Sequence, residues 1–180
     1  MTTADPPSFT MEVVDDLPGE FAERIVEAFH SRSTERFRLG LTSGDVAQRC
    51  YERLAAHAET QIDWWLVELW TNHSELARQA LLNRVGAAYA VHGTFSGTDA
   101  DTLPLDLVHL DLCVDGSLAG WPGDLSRPGL AIVTASGVAI ATALAKLRAG
   151  SDMALGRLGA RRGVVVLADH AAASAVPLAH

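Results

Sequence analysis

Short apolar runs and helix-length amphipathic stretches alternate along almost the whole chain, and few folds accommodate that alternation. Met11–Val14, Arg36–Thr42, Trp65–Trp70, Leu105–Cys113, Gly129–Thr134 and Gly163–Leu167 read as strands. Between them, Phe21, Ile25, Ala28 and Phe29 recur at helical spacing within Glu20–His30. Val46, Cys50, Leu54 and Ala58 mark the buried face of a second helix. Leu76, Ala80 and Leu81 mark a third within Ser74–Arg84, and Gly137–Arg148 is an Ala-rich fourth. A run such as GVVVL, apolar at nearly every position, belongs to a strand covered on both faces. The alternation therefore predicts an α/β fold in three layers, a mostly parallel sheet with helices on both faces.

Between these elements the chain is irregular. Asp15, Asp16 and Pro18-Gly19 read as a turn, and Gly86–Pro104 as a long loop with a short strand around Tyr89-Ala90-Val91. Asp115–Pro128 holds three Gly and two Pro and is expected to be irregular. No repeat, low-complexity tract or linker divides the chain, so residues 1–180 are expected to form a single domain, with 1–10 flexible. The net charge of -8, with no basic stripe, argues against a nucleic-acid footprint. No apolar run approaches the roughly 20 residues of a membrane helix. The start, MTTADPPSFT, lacks the pattern of a secretory signal. These features lead us to expect a cytoplasmic protein with no membrane and no nucleic-acid partner. Cys50 and Cys113 lie far apart in predicted elements, as buried reduced thiols do.

In parallel sheets ligands bind beyond the carboxyl ends of the strands, and every irregular motif of interest here follows a strand. Thr42, Ser43, Gly44 and Asp45 form a tight turn between a strand and a helix. Its N–H groups can hold an anion, but Asp45 can instead N-cap the helix, and its charge opposes a phosphate. Asp115-Gly116-Ser117 closes another strand with turn chemistry and presents a hydroxyl, although no G-x-S-x-G elbow surrounds Ser117. Thr71-Asn72-His73 places an imidazole at a third strand end, where it can act as a general base or simply cap the surface. His92 and His109 are open to the same two readings, whereas Trp64 and Trp65 are expected to pack in the core or under a lid. No His, Cys or acidic pair has metal-ligand spacing, and neither metal nor cofactor is expected.

Five blocks in this order resemble the 6-phosphogluconolactonase family and its relative glucosamine-6-phosphate deaminase. FRLGLTSGDVAQRCYERLA (Phe37–Ala55) is similar to the family's strand and phosphate loop, usually GGSTP or TGSTP. IDWWLVELW (Ile62–Trp70) resembles the Asp-Trp-led strand that runs into an Asp-Glu-Arg signature, and SELARQALLNRVG (Ser74–Gly86) the helix after it. LDLVHLDLCVDGSLAGWPG (Leu105–Gly123) is similar to the strand ending in Asp-Gly-His-Thr-Ala-Ser-Leu-Phe-Pro. IVTASGVAIATALAKLRAG (Ile132–Gly150) resembles the late Gly-x-x-Lys-Ala helix. The likeness spans about Met11 to Pro177 and implies the lactonase fold, a sugar-like small-molecule ligand and sugar-phosphate lactone hydrolysis within carbohydrate metabolism.

The departures fall on functional positions. Ser-Thr-Pro of the phosphate loop becomes Asp45-Val46-Ala47, and the Asp-Glu-Arg signature becomes Thr71-Asn72-His73. The family's catalytic histidine matches Ser117, and its phosphate-facing lysine matches Ile140, while Gly44, Asp115 and Gly116 are kept. Relative to the family pattern the chain is shortened after His73 and after Gly123. The resemblance implies catalytic positions at His73, Asp115 and Ser117, and substrate contacts at Thr42, Ser43, Gly44, Asp45, Asn72 and Gly116. Three functions stay open: a divergent hydrolase with a relocated base, a catalytically silent binding or regulatory member, and a hydrolase for an unphosphorylated or cationic substrate. A homo-oligomer or a protein partner is compatible with each.

Overall fold

A computed structural model of the protein describes residues 9–71, 104–120, 128–149 and 162–176, together with the backbone of 91–94. Strand β1 (Phe9–Val14) leads into helix α1 (Leu17–His30), β2 (Phe37–Leu41) into α2 (Asp45–His57), and a 3-10 turn (Trp64–Leu66) into β3 (Val67–Thr71). Then come β4 (Val91–Thr94), β5 (Leu107–Leu112), β6 (Leu118–Ala119) and β7 (Leu130–Ala135). A second 3-10 turn (Val138–Ile140) opens α3 (Ala141–Arg148), and β8 (Val164–Asp169) runs into the short α4 (His170–Ala173).

Among the described residues seven strands pair in parallel in the order β1-β8-β7-β5-β2-β3-β4, and β6 adds antiparallel to β5. One sheet face packs Phe37, Leu39, Leu41, Leu69, Leu107 and Ile132 against Phe21 and Ile25 of α1 and Leu54 of α2. The other packs Val108, Leu110, Val133 and Val166 against Leu144 and Leu147 of α3. Helices thus cover both faces, the three-layer α/β arrangement that the apolar runs require. Among the described residues no helix is long and apolar enough to cross a membrane.

The strand order reverses direction once within the sheet. From β2 the chain winds outward through β3 and β4, whereas from β5 it winds the other way through β7 and β8. Between β2 and β5 lies a topological switch point, where the loops leaving two neighbouring strands diverge at the carboxyl edge, the usual ligand position in sheets of this kind. The pairing of β2 with β5 extends only over Leu39↔Leu107 and Gly40↔Val108; farther along, β5 takes β6 as a neighbour through Asp111↔Ala119 and Leu112↔Leu118. Gly120 makes that substitution possible: at φ +132, a Cβ there would stand 2.9 Å from the His109 carbonyl oxygen and 3.1 Å from Thr42 Cβ.

Several boundaries differ from the sequence expectation. Pro18-Gly19 lies inside α1 rather than before it, because proline is tolerated in a first helical turn and Asp16 caps that turn through the Gly19 N–H at 3.1 Å. Trp64 and Trp65 belong to the 3-10 turn, with Trp64 buried and Trp65 exposed, so only Trp64 is a core residue. The stretch after Asp115 contains the two-residue β6. The expected helix over Ser74–Arg84 lies outside the described residues.

Candidate functional site

The loop Thr42–Gly44 carries the chain from β2 into α2 at the switch point. Gly44, at φ +124, is the N-cap of α2, and no side chain caps the helix there. Asp45 is therefore the first helical residue and not the expected N-cap; its exposed carboxylate lies in the first turn, where the helix dipole favours it. Ser43 is exposed as well, while Thr42 is fully buried. The Thr42 N–H donates to Tyr51 Oη at 2.8 Å, and its Oγ1 has no hydrogen-bond partner among the described residues. An unpaired buried hydroxyl is uncommon.

Behind Gly44 stands a carboxylate. Asp111, near the end of β5, lies with Oδ2 3.6 Å from the position a Cβ would take on Gly44. Its Oδ1 accepts from Thr134 Oγ1 on β7 at 2.9 Å, whereas Oδ2 has no hydrogen bond among the described residues. Burial pushes this carboxyl up to about 6, against the opposing pull of the Thr134 hydroxyl and the Arg49 charge.

Thr134 connects that carboxylate to the buried interior. His109 Nε2 lies 2.9 Å from Thr134 Oγ1, and His109 Nδ1 lies 2.7 Å from Tyr51 Oη. Burial holds His109 down to about 3, so the ring is neutral at ordinary pH. With Asp111 ionised, the network has one consistent proton order. Thr134 gives its hydrogen to Asp111 and accepts from His109 Nε2–H, leaving Nδ1 to accept from Tyr51, whose oxygen accepts from the Thr42 N–H. Phe21 packs against the His109 ring at 4.5 Å between centroids, and the Tyr51 ring stands edge-on to it at 5.4 Å. The Thr42–Gly44 loop and Asp111 are thus two ends of one chain of hydrogen bonds.

The neighbouring strand end supplies a second acidic group. Asp169 closes β8, accepts from Ser136 Oγ at 2.6 Å and from the Gly137 N–H, and caps α4 through the Ala172 N–H at 2.7 Å. Burial alone would raise Asp169, but these bonds and Arg49 leave it below the usual carboxylate range. Arg49 on α2 reaches Ser136 Oγ at 3.5 Å and its charge acts on both Asp111 and Asp169.

The residues expected from the sequence separate into groups. Thr42, Ser43, Gly44 and Asp45 lie together at the end of β2 and the start of α2, with Ser43, Gly44 and Asp45 exposed and Thr42 buried beneath them. Asp115, Gly116 and Ser117 form the turn beyond β5: the Gly116 N–H donates to Cys113 O, and Asp115 Oδ1 accepts from Ser117 Oγ at 2.6 Å and Ser117 N at 2.9 Å. The Ser117 hydroxyl and amide hold exposed Asp115 below the usual carboxylate range, which suits a turn and not a proton acceptor at neutral pH. No hydrogen bond joins this turn to Thr42–Asp45 among the described residues. Asn72 and His73 lie outside the described residues. Ile140, at the family's lysine position, is a buried apolar residue. Cys50 is buried and its thiol is pushed up to about 12, chiefly by burial.

Asp111, Thr134 and Tyr51 escape a motif search, yet the sequence carries a trace of them. In LVHLDL, His109 and Asp111 stand two apart and share one face of a strand that should be apolar on both. A buried face carries such residues only when they are paired, and the parallel register places Thr134 opposite Asp111.

No family model matches the sequence, and no curated protein matches it. Solved structures do. The chain superposes on 6-phosphogluconolactonase from Leishmania guyanensis with a TM-score of 0.73 at 16% identity, covering 95% of this chain and 100% of that one. A monomeric glucosamine-6-phosphate deaminase matches with a TM-score of 0.71 at 14% identity, covering 93% and 100%. The 6-phosphogluconolactonase of Trypanosoma cruzi matches at 0.68 and 13%, covering 95% and 98%. The fold is therefore the one shared by these lactonases and the deaminase, as the order of the five sequence blocks implied.

Proposed function

We propose that the protein is a 6-phosphogluconolactonase-like hydrolase whose crevice takes an unphosphorylated, sugar-like lactone. The charge around the β2–α2 loop carries this reading. In the family pattern that loop offers hydroxyl donors to a phosphate; here Asp45 is exposed beside Gly44 and the Asp111 carboxylate lies behind it. Each charge-assisted phosphate contact contributes about 1.5–3 kcal/mol. Substituting donors by carboxylates therefore disfavours a dianion by several orders of magnitude and leaves a neutral polyol unaffected. Asp111 Oδ2, which has no hydrogen bond among the described residues, suits a hydroxyl of such a ligand or a bound water.

Hydrolysis of gluconolactone and of 6-phosphogluconolactone by the purified protein, each against its uncatalysed rate, tests the proposal. Acceleration of the unphosphorylated lactone by a larger factor is expected. A larger factor for the phosphorylated substrate, lost in Arg49→Ala, would reveal a phosphate site and reject the proposal. No acceleration of either would favour a silent binding protein, the reading supported by Ser117 standing where the family has its histidine.

A further inference from the structure

We propose that Asp111 is the general base of this crevice, and that Thr134, backed by the buried His109–Tyr51 pair, positions its carboxylate. The assignment rests on the lactone-hydrolase reading above. It goes beyond the family pattern, whose base position is Ser117 here. Asp111 sits at the switch point of the sheet, against Gly44, with one oxygen held by Thr134 and the other unengaged among the described residues. That division suits a base: the bonded oxygen fixes the orientation and the unengaged one takes a proton from water. Asp115 has its Oδ1 occupied by Ser117, and Asp169 is held by Ser136, Gly137 and Ala172.

The reaction balances without a cofactor. Asp111 Oδ2 removes a proton from water as the water oxygen bonds to the lactone carbonyl carbon. The tetrahedral oxyanion collapses, breaking the bond to the ring oxygen, which takes the proton back from Asp111 as it leaves. The carboxylic acid product ionises and releases its proton to solvent, and the Asp111 carboxylate is restored.

The groups that face Asp111 set its working range. Arg49, Cys50 and Tyr51 approach from α2, His109 from its own strand and Thr134 from β7, while Asp169 on β8 shares Arg49. β6 brings only Leu118 and Ala119, and Gly44 brings no side chain. Cys50 and Tyr51 are both raised by burial and stay uncharged, and His109 stays neutral. A carboxyl lifted to about 6 in this setting is ionised at neutral pH and basic enough to act.

The test is kcat/KM for gluconolactone as a function of pH in the parent and three variants. The parent is expected to rise to a plateau with a midpoint near pH 6. Asp111→Asn, which keeps the shape and can still accept from Thr134, should lose about 10²–10⁴-fold. Thr134→Val should lower the plateau and move the midpoint upward, because the carboxylate loses its hydrogen bond and its orientation, and Thr134→Ser should restore both. An active parent whose Asp111→Asn variant stays within tenfold, or loses its activity only in His73→Ala, overturns the assignment and spares the lactone reading. A parent that accelerates neither lactone overturns both.

Discussion

Tyr51 Oη accepts from the Thr42 N–H and lies 2.7 Å from His109 Nδ1, and all three residues are buried. Removing that one oxygen leaves a backbone donor and a ring nitrogen without partners in a site closed to water. Each orphaned group costs about 1–3 kcal/mol. Tyr51→Phe should therefore destabilise by about 2 kcal/mol or more, lowering Tm by roughly 4–8 °C for a chain of this size. Thermal unfolding at neutral pH reads this directly. An unchanged Tm would mean that the hydrogen-bond chain contributes nothing net. The tyrosine is easy to find as a helical core position, but its hydroxyl's task is not, because His109 lies 58 residues away in sequence.

At the scale of elements, local signals placed most strands and helices within a few residues, since burial on both sheet faces leaves a pattern that neighbours cannot alter. The exceptions have local causes. Pro18-Gly19 reads as a turn until Asp16 is seen capping the helix that contains it. β6 is two residues long and exists because β5 pairs with it beyond the point where β2 diverges. Helix α4, four residues long, depends on Asp169 as its cap. The same carboxylate holds Ser136 and Gly137 at the end of β7, so one side chain ties two strand ends together. Asp169→Ala should cost about 2 kcal/mol, combining a lost cap with a lost hydroxyl bond, and should expose the Ala172 amide to faster hydrogen exchange. Exchange at Ala172 as slow as in the parent would show that α4 is held by packing alone.

Across the whole molecule, His109 and Asp111 make stability depend on pH in opposite senses. His109 is held down to about 3 from an ordinary 6.5, so the stability tied to its neutral form is present above 6.5 and is lost as pH falls towards 3. Asp111 is raised to about 6 from 3.8, so the stability tied to its protonated form is present below 3.8 and is lost as pH rises through 6. Between pH 4 and 6 the two slopes oppose each other, each about 1 kcal/mol per pH unit. Asp111→Asn removes one of them. The variant should be more stable than the parent above pH 6 and should lose stability more steeply between pH 6 and 4. Urea unfolding midpoints from pH 4 to pH 8 measure both, and parallel curves would contradict the linkage. A substitution that stabilises the fold while removing activity would identify Asp111 as a residue held at a cost to stability.

The alternation of apolar runs with amphipathic helices determined the layered α/β fold, because a strand buried on both faces and a helix buried on one leave periodicities that are properties of the chain itself. The loop Thr42–Asp45 was legible for the same reason, as a glycine turn between two strong local patterns. Only the tertiary structure decided that β2 and β5 are neighbours that part at the carboxyl edge, that Asp111 stands behind Gly44, and that Thr134 and Tyr51 link it to the loop. Those groups belong to separate strands and a helix, and parallel pairing joins strands that crossover connections keep far apart in sequence. Their register is a global outcome of packing, and with it the burial that shifts Asp111 and His109 away from their ordinary ranges.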